Sequence, residues 1–86
     1  MSLPGQVQVP GDGTQISVVR IVTPHIYRFA NQGPDDVLLR LPGKTTLLQR
    51  VKKGKTCDQE LTTGCDAASA TTTGGGAVLL YDVVDS

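Results

Sequence analysis

Surface chemistry needs a base, a nucleophile or a set of metal ligands, and this 86-residue chain is thinly supplied with all three. Its single histidine, His25, follows Pro24 at the entrance of a predicted strand. General-base or nucleophilic catalysis would require a partner group beside it, and a lone histidine at a strand edge is more often a structural residue. Cys57 and Cys65, separated by the seven residues Asp58 to Gly64, match neither a C-x-x-C redox pair nor a zinc framework. Two readings of them stay open: a disulfide that closes a hairpin, or two small thiols buried and kept reduced.

Three further segments invite a chemical reading. Gly74 to Gly76 suggests a phosphate-cradling loop, but no Lys-Ser/Thr follows and the next segment reads as strand, so a hairpin turn is expected. Gly43-Lys44-Thr45 copies the end of a Walker motif without the glycine that should precede it by five residues. Asp35 and Asp36 adjoin in a turn, and calcium would need six to eight oxygen ligands, which no spaced set of carboxylates here supplies. No catalytic, cofactor or metal site is therefore expected. The densest charge feature is the turn Lys52, Lys53, Gly54, Lys55, which could dock on an acidic surface or simply keep a hairpin soluble.

The elements that would carry these residues read as strands throughout. Residues 1–13, broken by Pro4, Gly5, Pro10, Gly11 and Gly13, suit an extended N-terminal arm, leaving 14–86 as one β domain. Ile16, Val18, Val19, Ile21 and Val22 give a β-branched density that disfavours helix. Ile26 to Ala30 alternates, Asn31 to Asp36 forms a turn cluster, and Val37 to Leu41 resumes as strand. Thr45 to Val51, Thr56 to Leu61, Cys65 to Thr73 and Ala77 to Val84 follow, with breaks about every ten residues. The expected fold is all-β, a compact antiparallel sandwich or barrel of jelly-roll-like type.

Arg20, Arg28 and Arg40 each sit between apolar residues, and Arg50 between Gln49 and Val51, inside or beside a predicted strand. If neighbouring strands align them, they make an arginine stripe on one sheet face, with Leu38, Leu48 and Leu80 on the same face. Guanidinium groups among leucines suit a subunit interface better than open water.

Eight basic residues balance eight acidic ones, and only three aromatics are present, so neither nucleic-acid binding nor membrane attachment follows from composition. Apolar runs fall far short of the roughly 20 residues that span a bilayer. The first residues carry no basic start followed by a hydrophobic stretch, so a cytoplasmic site of synthesis is expected. A chain of this length buries about 60 to 65% of its unfolded surface, so partner subunits would add needed stability.

From Tyr27 onward the order of features is Asn31-Gln32-Gly33-Pro34-Asp35-Asp36, Val37 to Arg40, Gly54-Lys55-Thr56, an alanine-rich strand, Gly74 to Gly76, then Leu79-Leu80-Tyr81-Asp82-Val83. This order resembles the small β-structured virion proteins of tailed bacteriophages, head-decoration or cement proteins among them. The resemblance covers Tyr27 to Asp85; the Cys57–Cys65 segment and the three-lysine turn lie outside the pattern. It implies a non-enzymatic subunit on the capsid exterior, bound to the major capsid protein and to other copies of itself, often as a trimer. Lys52, Lys53 and Lys55 would meet the capsid, and Arg20, Arg28, Arg40, Arg50 and Leu80 would face another copy. A tail or neck component, or a soluble β-sandwich ligand-binding module, are the alternatives.

Overall fold

Runs of β-branched and leucine residues, separated by Gly, Pro and Lys breaks, form eight strands in the computed structural model, which describes residues 3–20, 24–72 and 74–84. They are β1 (Gly5–Val9), β2 (Ile16–Val19), β3 (His25–Pro34), β4 (Val37–Arg40), β5 (Leu47–Val51), β6 (Thr56–Leu61), β7 (Cys65–Ser69) and β8 (Ala77–Val83). No helix occurs among the described residues. The expected strand residues Ile21 and Val22 lie outside them.

Pairing is nested: β1 with β8, β2 with β7, β3 with β6 and β4 with β5, all antiparallel. Further β3–β8 and β4–β7 pairings complete two four-stranded sheets, β1-β8-β3-β6 (sheet A) and β2-β7-β4-β5 (sheet B). This is one long hairpin wrapped around a shared core, the eight-stranded jelly roll. The all-β sandwich expected from the sequence is the fold.

Three local expectations are corrected. Residues 5–9 are not a free arm: β1 pairs in register with β8, and Val9 is fully buried in the core. Its Gln-Val-Gln-Val alternation is that of an edge strand with one face on the core. Gly5 lies opposite Tyr81, whose ring packs so closely over it that a Cβ would meet the ring at 2.6 Å. Second, β3 runs on to Pro34, so Asn31 to Gly33 belong to a strand that becomes irregular between Asn31 and Pro34, with a cis Gly33–Pro34 peptide. Third, the Lys52–Lys55 and Gly74–Gly76 turns are not hairpins, because each joins a strand of one sheet to a strand of the other. Hairpin turns and sheet crossings draw on the same turn residues, so local sequence does not separate them.

Alternation fixes the core. Tyr27 and Phe29 from β3, Val37 and Leu39 from β4, Leu61, Cys65, Ala67 and Leu79 meet between the sheets. Burying a side chain such as Phe29 or Leu79 stabilises the fold by about 1.5–3 kcal/mol. Strand β7 is buried along its whole length, and its small residues let the loops close over its outer face. The Cα extents are 36 × 30 × 16 Å, a slab two sheets thick.

Candidate functional site

Four loops meet at one end of the slab: residues 10–15, 34–36, 52–55 and 70–76, which follow β1, β3, β5 and β7. Side chains of the Asn31 to Asp36 segment tie three of them together. Asn31 is only 2% exposed; its Nδ2 donates to the carbonyls of Asp35 and Val51 at 2.9 Å each, and its Oδ1 accepts from the Gly33 amide at 2.7 Å. Its backbone bonds to the lysine turn in both directions, through Lys55 O and Gly54 N. Asp35 accepts from Ser69 Oγ at 3.0 Å and from the Gly76 amide at 2.9 Å. Gly74 passes so near that any Cβ there would overlap the Asp35 carboxylate.

Asp36 completes the set. It accepts from the Lys53 amide at 2.9 Å and from Arg50 Nη2 at 2.8 Å. The Lys53 amide, followed by the Arg50 guanidinium, holds its carboxyl below the ordinary value. Lys52, Lys53 and Lys55 are thus exposed on a turn fastened from below at both ends, with Gly54 at φ +73°. The sequence places Asn31 and Asp35 in a turn cluster and does not mark either as a tie between loops. The available signal was the irregular mixture of a buried-type alternation with Asn, Gly and two Asp residues.

The arginines do not form one stripe. Successive strands alternate between the sheets except at β4–β5, which puts Arg28 on sheet A and Arg40 and Arg50 on sheet B. Arg28 stands on the outer face between Asp82 and Asp58 of the neighbouring strands. Its Nε reaches Asp58 Oδ1 at 2.8 Å in a half-open ion pair, which holds the Asp58 carboxyl low through that hydrogen bond. Arg50 serves Asp36, Arg20 only approaches Ser17 Oγ at 3.5 Å, and Arg40 donates to Gln15 Oε1 at 3.3 Å. Leu80 lies on the outer face of sheet A between Gln6 and Ala30, yet is only 7% exposed.

A buried carboxylate went unnoticed in the sequence. Asp66, 8% exposed on β7, accepts from Gln15 Nε2 and from the Gly43 amide, both at 2.9 Å. Its work is to fold the Leu41–Lys44 loop and Gln15 onto sheet B, which also gives Gly43 a structural role. A single acid within an alanine-rich strand was the only hint.

Both cysteines are free thiols. Cys57 lies on β6 opposite Phe29, and Cys65 on β7 opposite Val19, so the two sit in different sheets and no hairpin joins them. Burial pushes the Cys65 thiol up to about 12 and raises that of Cys57 in the same direction. His25 opens β3 opposite Leu61, half-buried. Among the described residues no three His, Cys, Asp or Glu side chains gather as a metal site, and no pocket opens. Compared with protein families, with characterised proteins and with solved structures, the chain matches none of them.

Proposed function

We propose that this chain is a non-enzymatic virion subunit that binds and stabilises the exterior of an assembled phage capsid. The observation that carries the reading is the fastening of the lysine turn. The Asn31 to Asp36 segment, which carries part of the resemblance to phage decoration proteins, is the segment that fixes the backbone of the turn bearing Lys52, Lys53 and Lys55. A cationic turn whose backbone is already ordered loses less freedom on meeting an acidic surface than a mobile one. Small contacts of this kind become firm when repeated across a lattice.

A jelly roll is also the architecture of lectin domains and cupins, and fold analogy alone does not choose among them. A carbohydrate-binding module would present an aromatic platform or a polar pocket. Here Tyr27 and Phe29 are in the core and Tyr81 packs against it, which favours the virion reading. In that reading the partners are the major capsid protein and further copies of this chain.

Quantitative mass spectrometry of purified particles tests this directly. Copy numbers comparable to the major capsid protein are expected; a few copies per particle would move the chain to tail or neck, and absence would refute the proposal. Replacing Lys52, Lys53 and Lys55 together by Glu should abolish attachment to undecorated particles at low salt, and undiminished attachment would remove the lysine turn from the contact.

A further inference from the structure

The two open sheets leave four edge strands, β1 and β6 in sheet A and β2 and β5 in sheet B. Exposed edges pair with other chains unless something blunts them. Three of the four are blunted. Strand β6 carries Asp58 and Glu60 outward, and its Asp58 carbonyl accepts from Gln49 Nε2 at 3.3 Å. Strand β5 carries Arg50 and meets β4 through a register shift at Leu39/Arg40. Strand β2 has four residues and a shift between Ser17 and Val19.

Strand β1 has none of these devices. Its five residues, Gly5-Gln6-Val7-Gln8-Val9, are uncharged and pair with β8 without any shift. Among the described residues, no hydrogen bond joins them to any element beyond β8. Val7 points to the core side yet stays half-buried, so part of its surface faces the open edge.

We propose that the β1 edge binds the β1 edge of a second copy of this chain, antiparallel about Val7. The Gln6-Val7-Gln8 sequence is a palindrome, so a two-fold axis at Val7 matches Val7 with itself and Gln6 with Gln8, and sets Gly5 opposite Val9. Val7 meets Val7 on the core side, and Gln6 meets Gln8 on the outer side, where primary amides can donate and accept in turn. No like charges oppose one another. The two copies of sheet A then form one eight-stranded sheet. A five-residue edge covers well under the roughly 1,000 Å² expected of a stable complex, so the pairing is weak in free solution and gains strength where copies are already held side by side.

Gln6 and Gln8 are exposed on the outer face of sheet A, Gln6 beside the buried Leu80 and Gln8 beside Val78, so the edge can be recharged while the folding controls register any loss of packing over Leu80. The test uses the full chain, its Q6K/Q8K and Q6E/Q8E variants, and an equimolar mixture of the two, by sedimentation velocity up to about 1 mM in low salt. Far-UV circular dichroism and urea midpoints verify that each variant is folded. The wild type should dimerise with a dissociation constant in about the 0.1–1 mM range. Each charged variant alone should weaken dimerisation about tenfold or more, and the mixture should restore it. A wild type that stays monomeric, variants that dimerise unchanged, or a mixture that fails to recover would each overturn the inference. The outcome is independent of the particle count that tests the capsid reading.

Discussion

Replacing Asn31 by Ala should cost a large share of the stability of this fold. The substitution removes three side-chain hydrogen bonds, to Asp35 O, Val51 O and Gly33 N, at a site only 2% exposed. A hydrogen bond contributes roughly 1 kcal/mol net, and a buried group left without a partner costs about 1–3 kcal/mol. The Val51 carbonyl and Gly33 amide have little access to replacement water, so the loss comes to about 3–5 kcal/mol. A domain of this size has roughly 4–13 kcal/mol in total. With no tryptophan present, far-UV circular dichroism during urea unfolding is the natural assay. At a slope near 1 kcal/mol/M the midpoint should fall by about 3–5 M. Asn31→Asp should also destabilise at neutral pH, because a carboxylate would face two carbonyl oxygens. Gln32→Ala, at an exposed position, should leave the midpoint almost unchanged. A loss below about 1 kcal/mol for Asn31→Ala, with an unchanged slope, would refute the idea that this side chain joins the loops.

Glycine substitutions should separate two causes. Gly43→Ala, at φ +68° in open space, should cost about 1 kcal/mol, whereas Gly76→Ala, at φ +79° against the Val9 carbonyl, should cost about 3 kcal/mol or more by thermal unfolding. Acid titration should erode stability. Asp12, Asp36 and Asp58 have folded values below the ordinary 3.8, so their contribution is present above about pH 4 and is lost as pH falls through those lower values. The double variant Asp36→Asn/Asp58→Asn should flatten that acid limb when unfolding is followed against pH. At the alkaline end the sign reverses: Cys65, raised from 9.0 to about 12, disfavours the folded state progressively across that interval. Its thiol should react with a thiol-specific reagent at pH 8 far more slowly in the native protein than in denaturant, and equal rates would contradict its burial.

The composition of the strands was legible because it is local. β-branched residues and period-two alternation mark β4, β6 and β8 within a residue or so of their observed limits, since each needs one apolar face on the core. What the sequence left undetermined is which strands meet. A lysine turn or a glycine run has the same appearance whether it closes a hairpin or carries the chain from one sheet to the other. The nested pairing therefore decided that Arg20, Arg28, Arg40 and Arg50 do not align and that Cys57 and Cys65 lie in separate sheets. Long-range pairing also drew residues 5–9 into an edge strand, because the apolar side of Val7 and Val9 had a place on the core beside β8. Asn31, Asp35 and Asp66 took their roles from partners 20 or more residues away, and only the folded chain brings those donors and acceptors within reach.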